Sequence, residues 1–501
     1  MTIHRFSILI LLVGMFSCTD LTEELNSDLP ADEAEAFLKE NADYDALLQT
    51  VYRDFDNSII QHYDAVWVIS EMSSDEAICP SRPSGWDNGG VYRELHQHTW
   101  KPSHDIINNV WGDMNEAVFD ATNVLAFDPP EEVAAEARFL RAYFMWIILD
   151  LWDQVPFRDP GDNLLNAPTV LIGAEAADFI ISEVEEVLPL LSTTNPDYRT
   201  TQNAAHAFLA KMYINRGVYT DRANPTFADA DMDKVIEHVD AITGKSVGFY
   251  WDSFGPDNND ASSEIIFSIE SIGGVRGTGQ WLIWFATFPA EMVLPGGGGG
   301  WNGFATISEF YNSFEEKDIR RYYEHPTTMD NGGYNVGFLT GQQYDVDGNP
   351  IQDVVFTEDV PTIVGATLWN GYRPLKYVPD FANGSSTPDN DFVLLRYSDM
   401  LLLKAEAELR KGNDAEALAI VNEIRTNRNL DAFTGLDLDA LLAERGRELY
   451  WEGHRRNDQI RYGTFLGSWT LKEPSDPMYL IYPIPPEDVL SNPNLVQNPG
   501  Y

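Results

Sequence analysis

The strongest constraint on this chain is the spacing of its apolar residues. Over 131–151, Val133, Ala137, Leu140, Phe144, Ile147, Ile148 and Leu151 recur three or four positions apart. That is the 3.6-residue period of one helix face. Pro130 precedes the run, and Glu131 and Glu132 stand in its first turn, where the helix dipole favours acids. The same period predicts helices over 32–55, 106–126, 176–191, 201–216, 231–242, 394–411, 414–427 and 438–451. Gly217 is expected to end one of them, and Gly412-Asn413 to join two. The segments 203–242 and 400–425 each read as two short helices with small residues at the contact. Their spacing is near the ~34-residue tetratricopeptide unit. The expected fold class is mostly α, a tetratricopeptide-like helix-pair scaffold with long irregular loops and a few short strands. A plain helical bundle is the alternative.

Two stretches break the helical texture. Gly, Pro, Trp and Tyr are dense over 243–390, with one apolar run at 265–270 that reads as a strand. The second, 69–103, is also aromatic and polar. Long segments without strong helices usually carry function.

Charge narrows the partners. With 33 Lys+Arg against 79 Asp+Glu, the formal charge is −46. Nucleic-acid binding needs basic surfaces that this balance does not supply. An anionic substrate is repelled unless a local basic pocket overrides the global field. Hydrophobic residues make up 44%, enough for a large core, so the charge does not imply disorder.

The first residues read as a targeting segment. Residues 6–15 are an apolar run of about ten residues, against ~20 needed to span a bilayer. Ser17-Cys18 follows at once, which resembles a bacterial lipobox, with cleavage before Cys18 and lipidation of its thiol. Met15 and Phe16 depart from the preferred residues, and an ordinary signal peptide is the alternative. The expected division is a signal peptide at 1–17, a lipidated tether at 18–30 and one domain over 31–501. Within it, helical scaffold is expected at 31–68, 104–242 and 391–501, and ligand-binding loops at 69–103 and 243–390. Loss of Arg5 takes the mature charge to 32 − 79 = −47. Cys79, the other cysteine, reads as a buried thiol.

Candidate site residues lie in the loops. The stretch 73–92, SSDEAICPSRPSGWDNGGVY, carries Arg82, Trp86, Asp87 and Asn88 together. A flat ring can take the apolar face of a sugar, while Asp, Asn and Arg take its hydroxyl edges. Trp301 follows the five glycines 296–300, which lack the Lys-Ser/Thr of a phosphate loop. Trp301 and Tyr334 form a second group of platform candidates. Trp281 and Trp284 sit in an apolar run, so at least one is expected in the core. His96, His98 and His104 would place two rings on one face if 96–98 were a strand, yet no cysteine completes a metal set. Asp345-Val346-Asp347-Gly348-Asn349 starts like a Ca²⁺ loop but lacks its closing Glu, so a hairpin turn is expected. Glu444, Arg445, Arg447, Glu448 and Glu452 are spaced as an ion-pair ladder on one helix. No catalytic residue, cofactor or metal is expected.

Four ordered segments resemble one family: ARFLRAYFMWIILDLWDQVPF at 137–157; VLLRYSDMLLLKAEAE at 393–408 with AEALAIVNEIR at 415–425; ERGRELYWEGHRRNDQIRYG at 444–463; and YPIPPEDVLSNPNLVQNPGY at 482–501. Together they resemble the SusD/RagB proteins over essentially the whole mature chain. The resemblance implies a SusD-like helical fold and a Bacteroidetes outer-membrane lipoprotein, lipid-anchored and exposed at the cell surface. It implies a lid over a TonB-dependent SusC-like transporter, with capture of oligosaccharide or sometimes peptide and no chemistry. A subset of the family carries a loop similar to 75–89 where glycan binds. The charge tilts the expected ligand toward neutral glycans. A glycoside hydrolase and a helical adaptor are the competing classes.

Overall fold

The structure, a computed structural model, describes residue 39, residues 41–60 and residues 64–501. The expectations for the signal peptide, Cys18 and the tether, and the start of the first predicted helix, lie outside the described residues. Asp43–Tyr501 form one compact unit.

Helices of seven residues or longer are α1 Tyr44–Phe55, α2 Val66–Met72, α3 Val91–Gln97, α4 Asp105–Ala126, α5 Glu131–Trp152, α6 Ala174–Val187, α7 Gln202–Thr220, α8 Asp229–Ala241, α9 Gln280–Thr287, α10 Pro326–Gly332, α11 Tyr397–Arg410, α12 Asp414–Asn427, α13 Leu438–Leu449 and α14 Arg455–Arg461. Helix α5 is the axis of the scaffold. From Phe139 to Trp152 every residue is buried, as expected of a helix that is apolar on most faces. It begins at Pro130, whose missing N–H costs nothing there, and ends where Asp153 turns left-handed at φ 67°. Thr201 caps α7 by accepting the Ala204 N–H at 3.0 Å.

Neighbouring helices pack in succession: α4 on α5, α5 on α6, α6 on α7, α7 on α8, then α8 on α11 and α11 on α12. The pairs α7/α8 and α11/α12 therefore stack as consecutive units of a solenoid, as the paired-helix reading expects.

Several elements differ from expectation, two of them within the scaffold. Gly217 does not end α7, which runs on to Thr220. A Cβ at Gly217 would lie 1.7 Å from the Thr226 carbonyl oxygen, so glycine serves the close return of the chain instead. The start of the helix predicted at 394 is instead a strand, β2, Phe392–Arg396, fully buried and antiparallel to β1, Ile265–Ile269. A short unbroken apolar run does not distinguish the two by periodicity. Residues 345–349 do form a hairpin turn: Gly348 N–H donates to the Asp345 carbonyl at 3.0 Å, and Asp345 Oδ1 accepts from Asn349 N–H at 2.8 Å.

The buried carboxylates of α13, Glu444 and Glu448, are paired, but mainly with distant partners rather than along the helix. Glu448 accepts from Arg320 and Arg396 at 2.8 Å each and from Arg428 at 2.7 Å. Glu444 takes Arg320 and Arg425 at 2.8 Å, and Arg447 on its own helix at 2.6 Å.

Candidate ligand-binding site

Two loops build one groove. Ile78 and Ala305 exchange backbone hydrogen bonds at 2.9 Å, and Thr306 Oγ1 donates to the Glu76 carbonyl at 2.7 Å. These bonds join the 73–90 loop to the 299–306 segment. Arg82 tightens the joint, giving its guanidinium to the carbonyls of Gly303 at 3.3 Å, Thr367 at 2.6 Å and Asn370 at 2.9 Å. Its own backbone pairs both ways with Gly85 across a tight turn.

That turn delivers Trp86. The Trp86 indole N–H donates to the Trp301 carbonyl at 2.7 Å, so the two tryptophans are tied together across 215 positions. Trp86 packs on Tyr92 and Phe304, with ring centres at 5.6 and 5.2 Å. A Cβ at Gly303 would lie 2.3 Å from the indole, so only glycine admits the ring there. Trp301 rests on Phe285 at 5.3 Å and leaves 39% of its surface exposed. Trp86, Asn88 and Asn302 all have left-handed backbones, at φ 69°, 40° and 57°. Three such non-glycine residues around one cleft form the pattern of strain held at a functional site.

The cleft measures about 710 Å³ and is walled by Pro83, Gly85, Trp86, Asn88, Glu291, Gly300, Trp301 and Asn302, among others. Among the described residues it is lined by no Lys, Arg or His, and by the single carboxylate of Glu291. Asn302 is held by both ends: its Oδ1 accepts from Arg373 at 2.8 Å and its Nδ2 donates to the Leu368 carbonyl at 2.9 Å.

The structure therefore brings Trp86, Asn88 and Trp301 together and corrects the other candidates. Arg82 is buried, and its donors serve backbone carbonyls rather than a ligand. Burial draws its guanidinium down to about 10, still a cation at neutral pH. Tyr334 is a core residue, packed on Phe288 at 5.1 Å, with its hydroxyl donating to the Val293 carbonyl at 3.0 Å. Asp87 stands outside the cleft, 66% exposed, and faces Arg93 at 3.4 Å. Trp284 is in the core, donating to the Tyr377 carbonyl at 3.0 Å.

The cleft residues missed from sequence are Glu291, Asn302 and Leu368. The glycine run held one signal. Cβ atoms at Gly299 and Gly300 would meet the carbonyls of Ala290 and Phe288 at 2.5 and 1.9 Å, so these glycines press the 299–302 strip against the turn that carries Glu291.

His96 and His98 lie on the end of α3, not on a strand. Their rings bond to the carbonyls of Ala77 and Thr470 and to Ser475 and the Ser73 carbonyl. Among the described residues no group of three or more His, Cys, Asp or Glu is placed to hold a metal, and no helix is long and apolar enough to cross a membrane. Cys79 is buried.

Comparison with known proteins gives a family match, a relative and two solved structures. Residues 263–473 match the model of the SusD family. The starch-binding protein SusD of Bacteroides thetaiotaomicron is 27% identical, over 88% of this chain and 86% of its own. Among solved structures, a SusD superfamily protein from Parabacteroides distasonis aligns with a TM-score of 0.70 at 19% identity, covering 95% of this chain and all of that one. Surface glycan-binding protein A from Bacteroides thetaiotaomicron, in complex with laminarihexaose, aligns at 0.64 and 16% identity, covering 91% and 99%.

Proposed function

This chain belongs to the SusD/RagB family, and from that membership we propose that it is a cell-surface glycan-binding protein. The observation that carries the reading is the Trp86–Trp301 cleft: two linked indoles, one of them partly open, beside the polar side chains of Asn88 and Glu291. The exposed face of Trp301 takes the C–H face of a sugar ring, and the polar rim takes its hydroxyls. With no cation on its walls, the cleft suits a neutral glycan, in keeping with relatives named for binding starch and laminarihexaose. Glycoside hydrolysis needs two carboxyls facing one bond, whereas Glu291 stands alone in the cleft among the described residues. The proposal is therefore of binding without chemistry, in keeping with relatives named as binding proteins. In this proposal Cys18 carries the lipid that anchors the chain in the outer membrane, and captured oligosaccharide passes to a TonB-dependent SusC-like transporter.

A glycan array followed by calorimetry on the best neutral oligosaccharide, with maltohexaose and laminarihexaose included, tests the site. Trp301→Ala should weaken binding at least tenfold, about 1.4 kcal/mol, with the melting temperature almost unmoved. An unchanged affinity would remove the cleft from consideration.

A further inference from the structure

A second cavity, about 330 Å³, opens between α1, the turn before α7 and the end of β1. It shares no wall residue with the Trp86–Trp301 cleft. Tyr52 and Tyr198 contribute half-buried rings, and Phe267 closes the interior. Around them stand three guanidiniums, Arg53, Arg199 and Arg276, and three carboxylates, Asp45, Asp56 and Glu270.

Their hydrogen-bonding capacity is only partly used. Arg276 pairs with Glu270, yet its Nε is buried with no partner. Arg199 lies over the Tyr52 ring at 5.7 Å and gives Nε and one terminal nitrogen to Glu136. Arg53 is exposed and makes no ion pair with the described residues. Asp56 Oδ1 accepts from the Gly279 N–H at 3.1 Å, which fixes that wall.

We propose that this cavity is a second carbohydrate site, taking one neutral pyranose residue of a glycan. The assignment rests on the reading of the chain as a glycan binder. Vicinal sugar hydroxyls each donate and accept, which matches a wall where guanidinium and carboxylate stand side by side. Tyrosine rings supply the apolar surface. Three positive and three negative side chains leave no net charge to draw in an anion, and a uronate would meet Glu270 and Asp56. Two separate sites on one chain would raise the apparent affinity for a long polymer without new contacts at either.

The test uses the full-length protein in the Trp301→Ala background, which weakens the cleft. Binding of methyl glucosides, galactosides and mannosides is followed by saturation-transfer difference NMR, with glucuronate as the charged control. Saturable binding of at least one neutral pyranoside should remain. Adding Arg53→Ala, an exposed position that leaves the core intact, should weaken it at least fivefold, and Arg276→Ala likewise. Absence of residual binding would overturn the proposal, as would indifference to both arginine substitutions or glucuronate binding tenfold tighter than any neutral sugar. If Trp301→Ala binds as well as the parent protein and the arginine variants remove all binding, the cleft reading fails and this one stands. If the parent protein binds no sugar, both fail.

Discussion

Helix α13 and the Trp86–Trp301 cleft handle the side chains that are hardest to bury in opposite ways. Around α13, Arg320, Lys376, Arg396, Arg425 and Arg428 meet Asp318, Glu264, Glu444, Glu448 and Glu452, five cations against five carboxylates. All of these side chains are at most 3% exposed, with the closest contacts at 2.5–3.0 Å. Charges at that depth persist only when each has its partner. At the cleft no cation among the described residues lines the surface. The guanidiniums beneath it, Arg82 and Arg373, bond to carbonyls and to Asn302, while an aromatic ring stays partly wet. Many of the 33 basic residues point inward, so acids dominate what remains outside.

The largest test of this contrast is Glu448→Gln. It keeps the shape but removes the charge that Arg320, Arg396 and Arg428 share. Removing one member of a buried ionic group costs about 3–5 kcal/mol. Denaturant unfolding should record that loss, while the folded fraction binds glycan as before. A loss under about 1 kcal/mol would mean the lattice is replaceable, and altered affinity would mean the two regions are coupled.

Titration separates the regions by sign. Burial raises Glu444, but the guanidiniums of Arg320 and Arg447 prevail and hold it at about 2. Its contribution is present above the unfolded value of 4.5 and lost as pH falls through about 2. Glu71, at the root of the cleft loop, goes the other way. Burial lifts it to about 7, against the Gly453 N–H, and it shares hydrogen bonding with Glu76, which burial and Glu71 also raise. Its contribution is full below 4.5 and lost as pH rises through about 7. Glu71→Gln should therefore flatten the fall in stability between about pH 4.5 and 7 by up to about 1.4 kcal/mol per pH unit. Melting curves across that range check it; an unchanged slope would place the loss elsewhere.

What the sequence made legible divides along the same line. Long helices such as α4 and α5 show their period directly, and the charged residues of α13 announce an ionic role. Their partners do not show, because Arg320 lies 124 positions from Glu444 and Arg396 lies 52 from Glu448. Trp86 and Trp301 stand out because glycine and proline surround them. Arg82 and Tyr334 share that texture but face inward, and a loop's composition does not say which side chain turns to the core. Asn302 and Glu291 enter the cleft only through a fold-back that glycines 299 and 300 permit. The strand β2 was hidden because its apolar residues are buried on both faces, which removes the alternation that marks a strand.

The smallest expected effect concerns Asp87, which sits one residue from Trp86 yet points to Arg93. An exposed pair at 3.4 Å, with the carboxylate 66% open to water, is screened and contributes about 0–1 kcal/mol. Asp87→Asn should change stability by less than about 0.5 kcal/mol and glycan affinity by less than twofold, because the side chain does not wall the cleft. Calorimetry beside Trp301→Ala makes the comparison on one ligand. A fivefold loss in Asp87→Asn would mean that this carboxylate swings from Arg93 to a sugar hydroxyl on binding, and the site would then extend beyond the aromatic pair to the acidic rim.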